Sequence, residues 1–294
     1  MKTSLFQLNA RAVLCAVACG LIPFAALAQT YTFKIGAGRI DPRATSGDIE
    51  GTLPVGNGST IDVPPGNQLE VMPKSTMLFS IERHFNDHWS AELVLGVPPT
   101  HDVRLRVGDQ IKSGASAYAS AVAGAGSSNP ATVIGYLAAN QFSSYGSSAG
   151  AVATAAYTRY AAAAHVAQYD GVTVARVKQS APTLFLNYKF LDASSALRPY
   201  VGVGVNYTNF KVTSTGAGDT LYNDGPVRIS STNSIGLAFQ TGVNYKFDKN
   251  WSASAGWTTA AVKNNVTIRT NTSQQNLSYR FHPSVFSLMV GYSY

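Results

Sequence analysis

The sequence predicts an all-β protein: an eight-stranded antiparallel transmembrane β-barrel with short periplasmic turns and long external loops. Eight segments alternate apolar with small or polar residues, their connections are short and long in turn, and an export signal precedes them. Because successive side chains of a strand point to opposite faces, each segment has one continuous apolar face. A sheet in hydrocarbon must close into a barrel, since an open edge leaves backbone groups without partners.

Residues 1–28 have the pattern of a secretory signal peptide. Lys2 and Arg11 precede an apolar run, and a small-residue Ala-Leu-Ala cleavage site ends at position 28. The mature chain is therefore expected to begin at Gln29. An uncleaved membrane anchor and a lipoprotein are alternatives that fit the pattern less well, because a cleavage site is present and the apolar sequence continues past both cysteines.

Residues 29–294 are expected to form one barrel domain. Cys15 and Cys19 both lie in the signal segment, so this domain has no thiol for a disulfide or a metal site. Removing the signal lowers the net charge from +7 to +5. The basic residues are spread along the chain rather than clustered, so nucleic acid is not indicated as a partner.

The apolar alternation is clearest at the end of the chain. Phe286, Leu288, Val290, Tyr292 and Tyr294 form one face of the last segment, and the other face consists of Met289 and three small or polar residues. The predicted strands are 31–38, 75–85, 89–97, 182–190, 198–212, 235–247, 251–262 and about 279–294. An even number of strands lets the sheet close with both termini on one side.

The connections indicate which end of the barrel faces the periplasm. Those after the second, fourth and sixth strands are short, as periplasmic turns are, whereas the others are long. Aromatic residues gather at the predicted periplasmic ends, as in an interfacial girdle. They are Tyr31, Phe33, Phe85, Trp89, Tyr188, Phe190, Tyr200, Tyr245, Phe247, Trp251, Tyr292 and Tyr294. A soluble β-sandwich, the alternative, does not predict this clustering.

Two consecutive segments are more specific. The runs APTLFLNYKF (181–190) and LRPYVGVGVNYTNF (197–210) resemble the signature of the OmpW family of outer-membrane proteins, and GVPPTHDV (96–103) and the closing HPSVFSLMVGYSY are also similar. The resemblance implies a barrel in the outer membrane of a Gram-negative bacterium, with a narrow, largely apolar interior. It also implies passive, porin-like uptake of small hydrophobic molecules, with lateral release into the membrane.

The same resemblance implies three partners: outer-membrane lipid, the barrel assembly machinery and a small hydrophobic solute. The last strand carries the aromatic terminus expected of the assembly signal, although Tyr294 stands where the family usually ends in Phe. Ala181 replaces a family Pro, and Pro99 stands where Phe is expected. The oligomeric state is not indicated.

The largest departure is an insertion at 108–171, in the second external loop. It is rich in Ala, Ser, Gly and Tyr, and 149–168 has helix-forming composition. Loops of this length are usually functional or disordered. Two interpretations stay open: a disordered or loosely helical cover, and a specific lid or adhesive surface.

Five charged residues are predicted to point into the lumen near its periplasmic end: Lys34, Glu82, Glu92, Lys189 and Lys246. Unpaired charges are costly in a narrow dry space, so we expect these residues to pair across the barrel as a polar plug. The alternative is the ordinary polarity of a small filled barrel.

The outer half of the lumen is predicted to be lined by small residues and therefore open. Candidate cavity residues are Gly96, Gly204, Ala238 and Gly256, and bulky replacements of Gly204 or Gly256 are expected to slow uptake without preventing folding. Proline removes a ladder donor, so Pro98, Pro99 and Pro182 mark a candidate seam for lateral exit. Alternatively, these prolines only end their strands.

No catalytic, cofactor-binding or metal-binding site is predicted, and an enzyme is not expected. The GSSAG run at 146–150 matches G-x-S-x-G but lacks the strand and helix that strain a nucleophile. His84 and His88 flank a turn and are not expected to converge on a metal. Passive solute transport, surface interaction through the insertion, and a narrow ion channel stay open as functions.

Overall fold

A computed structural model describes residues 31–56 and 58–294. The expected signal peptide, 1–28, lies outside these residues. The strands are β1 (Tyr31–Asp41), β2 (Ala44–Thr45), β3 (Glu50–Pro54), β4 (Thr60–Asp62), β5 (Gln68–Val71), β6 (Lys74–His84), β7 (Trp89–Gly96), β8 (Thr100–Arg106), β9 (Thr173–Ser180), β10 (Thr183–Lys189), β11 (Leu197–Ser214), β12 (Arg228–Ser231), β13 (Ser234–Lys246), β14 (Trp251–Ala260), β15 (Val262–Arg269), β16 (Gln274–Phe281) and β17 (Ser284–Ser293). The helices are α1 (Asp109–Ala125), α2 (Pro130–Asn140), α3 (Ala149–Ala167) and α4 (Gly216–Tyr222), with a 3-10 helix at Ser143–Ser148.

Eight strands close into an antiparallel barrel in the order β1, β6, β7, β10, β11, β13, β14 and β17. The ring closes because β17 pairs with both β14 and β1, and β10 pairs with both β7 and β11. The predicted fold class is therefore confirmed. The three short turns and both ends of the described barrel lie at the same rim, which is the predicted periplasmic one.

The last predicted strand begins too early. Residues 279–281 belong to β16, which pairs with β15 in a second sheet, and β17 begins at Ser284. Pro283 lies between the two strands. Proline has no backbone N–H for a ladder bond, so the apparent single alternating run is interrupted there.

The outer face of the barrel is apolar, as the alternation predicts. Ile235, Leu237 and Leu288 are 74%, 77% and 70% exposed, which in a membrane means contact with lipid. Aromatic side chains pair along the periplasmic rim, for example Phe33 with Tyr294 at a centroid distance of 5.9 Å. Tyr200 is an exception to the predicted girdle: it is 7% exposed and lies inside the lumen, because its even position in β11 faces inward.

The predicted long external loops contain further sheet. The strands β9, β8, β5 and β2 continue the barrel sheet beyond the outer half of β11, and β12, β15, β16, β3 and β4 form a second sheet. Buried apolar side chains from both, such as Leu69, Val103 and Ile268, make one core above the barrel. The sequence prediction missed these strands, since it treated the connections as loops.

The insertion is an ordered helical unit rather than a disordered cover. Its predicted helix is confirmed as α3, and α1 and α2 are additional. Ala121, Val133, Leu137 and Ala153 are completely buried and form a small separate core. Within the described part of the chain, no helix is long and apolar enough to cross a membrane.

The two ends of the insertion meet on the outer sheet. The Val107 N–H donates a hydrogen bond to Asp170 Oδ1 at 2.9 Å, and the Gly171 N–H donates to the Leu105 carbonyl at 2.8 Å. The Val107 bond and the nearby Lys112 ammonium lower the pKa of Asp170. The two ends of the insertion are therefore held together next to β8 and β9, and the helices project from this point.

Replacing Leu137 by Ala is expected to destabilise the insertion by about 2–5 kcal/mol and to leave the barrel intact. Leu137 is completely buried, but its apolar contacts are within the small helical core. Limited proteolysis should cut the variant within 109–167 sooner than the wild type. The barrel should unfold in heat and detergent as it does in the wild type. Tyr145→Ala is the control, since Tyr145 is 57% exposed. Equal cleavage of both variants and the wild type would contradict the prediction.

Candidate functional site

Four of the five predicted lumen charges come together near the periplasmic end of the barrel. Lys34 Nζ lies 2.8 Å from Glu82 Oε2 and 2.8 Å from Glu92 Oε1, and Lys189 Nζ lies 2.7 Å from Glu82 Oε1. All four residues are buried. We call this group the ionic floor.

Lys246 does not join the ionic floor, contrary to the prediction. It is the last residue of β13 and is exposed. At this level the lumen has widened into a vestibule of about 360 Å³, which Lys246 lines together with Arg198 and Lys249. A lysine at such a mouth remains hydrated and does not require a buried partner.

Neutral side chains complete the bonding of the ionic floor. Ser90 donates a hydrogen bond to Glu82 at 2.5 Å, and Ser80 donates to Glu92 at 2.7 Å. Asn187 of β10 and Gln240 of β13 also donate hydrogen bonds to Glu92. The two lysines balance the two glutamates, so the group is neutral and links β1, β6, β7, β10 and β13 across the lumen.

A cavity of about 110 Å³ lies above the ionic floor. Its walls combine apolar side chains with several Ser, Thr, Asn and Gln residues, and Lys34, Tyr200 and Gln240 lie at its base. The apolar part of the wall includes Leu78, Val94, Phe185, Val285 and Met289. The interior above the ionic floor therefore combines apolar and polar side chains, whereas the resemblance implied a largely apolar interior.

Of the predicted cavity residues, Gly96 lines this space, but Gly204, Ala238 and Gly256 do not. Ala238 is packed into the buried apolar core. A Cβ added at Gly204 would lie 2.7 Å from Phe185 Cδ1, and one at Gly256 would lie 2.7 Å from the Tyr200 hydroxyl. The glycines thus make room for two aromatic rings rather than for solute.

Phe185 and Tyr200 were not predicted to face the lumen, and Tyr200 was assigned to the aromatic girdle instead, although the alternation indicates inward positions for both. The outward positions of β10 and β11 include Leu184, Leu186, Val201 and Val203, which are apolar and face lipid. The residues between them must face inward. A large aromatic at an inward position next to glycines on a neighbouring strand indicates a ring that fills the lumen.

Replacing Gly204 by Ala is expected to destabilise the barrel by about 1–3 kcal/mol through overpacking. The new Cβ would lie 2.2 Å from the backbone carbonyl oxygen of Leu184, which has little room to move. The earlier expectation that substitutions at Gly204 spare folding is therefore replaced.

The measurement is urea-induced unfolding of the refolded barrel in lipid vesicles. Gly96→Ala is the matched control, because its Cβ would approach no closer than 3.1 Å, to the Leu78 side chain. Equal unfolding midpoints for both variants would show that the backbone at Gly204 adapts without cost.

The predicted prolines lie where the ladder between β7 and β10 stops. Val94 and Thr183 are its outermost pair, and the next backbone hydrogen bond upward joins the Gln179 N–H to the Pro99 carbonyl at 3.0 Å. The segments 95–98 and 180–182 face each other between these two points. We call them the β7–β10 seam.

The cavity reaches the β7–β10 seam. Leu95, Gly96 and Ala181 line the cavity there, and Pro99 lines it at the outer end of the seam. Pro98 and Pro182 border the same interruption but are not among the lining residues. The seam therefore combines missing ladder pairing with access from the lumen, and the prolines contribute by removing donors.

A closed eight-stranded barrel with a lipid-facing apolar exterior and an aromatic rim is an integral outer-membrane β-barrel. The sequence matches the model of the OmpW family over residues 129–294, more than half of the chain. The chain belongs to the OmpW family, and it is located in the outer membrane of a Gram-negative bacterium.

Named relatives agree with this assignment. The chain is 34% identical over 121 residues to outer membrane protein W of Escherichia coli, covering 41% of this chain and 56% of that protein. The match to outer membrane protein W of Vibrio cholerae is 30% identical over 121 residues, covering 41% and 55%. The aligned part thus spans little more than half of the length of these relatives.

The fold is also similar to a solved structure. The crystal structure of the outer membrane protein OprG from Pseudomonas aeruginosa superimposes with a TM-score of 0.61 at 19% identity, covering 91% of this chain and 96% of that one. At this identity the similarity supports the fold. The function is therefore argued from the cavity, the ionic floor and the seam.

Proposed function

We propose that the protein passively admits small hydrophobic molecules from outside and releases them sideways into the membrane. The observation that carries the proposal is the position of the cavity: apolar side chains such as Leu78 and Phe185 line it, the ionic floor closes it below, and it reaches the β7–β10 seam at its side. An apolar solute in this cavity lies next to lipid, which is its most favourable destination.

The ionic floor argues against passage straight into the periplasm. A solute moving downward would have to separate buried pairs such as Lys34–Glu82, and a buried charge that loses its partner costs about 3–5 kcal/mol. The same barrier opposes a steady ion current, which was one of the alternatives. Sideways release requires no separation of charges.

The outer region supplies an apolar approach to the cavity. Two further small cavities, of about 50 and 40 Å³, lie among the buried side chains of the two outer sheets. The larger is lined by Val71, Val177 and Phe210, and it shares Gln179 with the barrel cavity. Small movements of these side chains would connect the surface to the lumen without exposing an apolar solute to water.

A surface-interaction function keeps support from one observation, the ordered core of the insertion. A helical unit with completely buried Val133 and Leu137 presents a defined surface, which a disordered loop would not. The surface-interaction alternative predicts that deleting 108–171 abolishes function and leaves permeability unchanged.

The test is uptake of labelled toluene by cells that lack their own carrier. We would compare the full chain, the 108–171 deletion and empty cells at equal surface level. Faster uptake with both forms is expected, because the cavity and the seam belong to the barrel. No gain over empty cells with either form would contradict transport and favour the surface interaction.

A reversible block tests the seam itself. Because 29–294 contains no cysteine, Ala181→Cys introduces a single thiol at the seam of the mature chain. A bulky disulfide-forming reagent should slow toluene uptake, and a reductant should restore it. Ser195→Cys is the control, since Ser195 lines the vestibule below the ionic floor. Equal inhibition of both variants, or of neither, would contradict exit through the seam.

A further inference from the structure

Tyr200 has an unused hydroxyl inside the barrel. Its side chain extends from β11 over Gly242 and Gly256 of the next two strands, where an added Cβ would lie 2.7 Å from the hydroxyl oxygen. Tyr200 is 7% exposed and lines the cavity. Among the residues that the structure describes, no side chain or backbone group forms a hydrogen bond with this hydroxyl.

The Tyr200 hydroxyl borders the cavity, and an occupant that excludes water without forming a hydrogen bond to it would leave it desolvated, which is costly. The surrounding cavity supplies no obvious internal partner, since the neighbouring carboxylates are already occupied. Glu92 accepts from Lys34, Ser80, Asn187 and Gln240. The Tyr200 hydroxyl therefore offers one donor and one acceptor to whatever occupies the cavity.

The charge at the base of the cavity decides what kind of head group fits. The ionic floor contains two lysines and two glutamates and has no net charge, so an anionic or a cationic ligand would lose its hydration without gaining a counter-ion. A neutral head group that forms one hydrogen bond meets no such cost. The upper walls, with Leu78, Phe185 and Met289, suit an apolar body.

We propose that the cavity selects uncharged amphipathic molecules, with a compact apolar body and one alcohol or carbonyl head group, and that Tyr200 is the residue that determines this specificity. The inference rests on the proposed function, because it assigns the solute class of the same cavity. The cavity of about 110 Å³ is somewhat smaller than one of roughly 150 Å³ known to hold benzene, so a single ring or a short chain is the expected size.

The test is equilibrium binding to the full chain in lipid nanodiscs, followed by fluorine NMR and corrected with empty nanodiscs. The probes are 4-fluorobenzyl alcohol, 4-fluorotoluene and 4-fluorobenzoate, which share one ring and differ in the head group. We expect the alcohol and the toluene to bind and the benzoate to give no signal above empty nanodiscs. Tyr200→Phe should lower the ratio of alcohol to toluene affinity about tenfold, the value of one hydrogen bond.

Tyr188→Phe is the matched control, because Tyr188 lies on the outward face of β10 and loses a hydroxyl away from the lumen. An affinity ratio that Tyr200→Phe leaves unchanged would overturn the inference while the proposed function stands. If none of the three probes binds the wild type above empty nanodiscs, the proposed function itself fails. If Tyr200→Phe does not fold, the wild type alone tests the inference, because equal affinities for the alcohol and the benzoate would overturn it.

Discussion

Replacing Glu82 by Gln is expected to lower the free energy of unfolding by about 3–5 kcal/mol, because it leaves a buried lysine without its partner. Glu82 is 1% exposed and is the carboxylate that bridges Lys34 and Lys189. The neutral amide cannot balance either ammonium group, and of the two lysines Glu92 pairs only with Lys34. The measurement is urea-induced unfolding of the refolded barrel in lipid vesicles.

Two controls separate charge loss from other effects. Asp41→Asn removes an acid from an exposed pair with Arg43 at 3.7 Å and should leave the unfolding midpoint unchanged. Adding Lys189→Met to Glu82→Gln should recover part of the lost stability, since it removes the lysine that lost its partner. A loss below about 1 kcal/mol for Glu82→Gln would mean that water reaches the ionic floor.

Replacing Phe185 by Ala should cost about 3–5 kcal/mol and admit larger solutes. Phe185 is 1% exposed, lines the cavity and covers Gly204, so its removal leaves a void that continues the existing space. Unfolding in vesicles reports the first effect. Uptake of labelled naphthalene relative to toluene reports the second, and this ratio should rise.

Phe185→Leu is the matched control, because it keeps most of the apolar volume. Its loss of stability should be less than half of that of Phe185→Ala, and its uptake ratio should stay near the wild-type value. A naphthalene-to-toluene ratio that Phe185→Ala leaves unchanged would show that solutes do not pass this part of the lumen.

The alternation correctly predicted which side of each barrel strand faces lipid, because hydrocarbon strongly favours apolar side chains on that side. Outward positions such as Ile235, Leu237 and Leu288 contact hydrocarbon, so most positions on this face are apolar. Inward charges such as Glu82 then stand out against this pattern. The prediction failed at Lys246, where the same alternation continues past the level at which the lumen is dry.

Outside the membrane, the alternation of apolar and polar residues did not distinguish strands from loops. Strands such as β9 and β16 bury one face against another sheet and expose the other to water, and each also pairs with a strand far away in the sequence, β9 with β8 and β16 with β3. Helix α3 was predicted from composition, whereas α1 and α2 were not. Ser and Gly dilute the apolar pattern of α1.

Residue order alone predicts the class of this protein: an outer-membrane barrel of eight strands, together with the lipid-facing side of each strand, the periplasmic rim and the family. How the lumen is filled emerges only from the folded structure. Whether a glycine such as Gly204 leaves space or receives a neighbour's ring depends on the strand beside it, as does the partner of each buried charge. These contacts arise across strands distant in sequence, so no local pattern contains them, and they determine what the cavity holds.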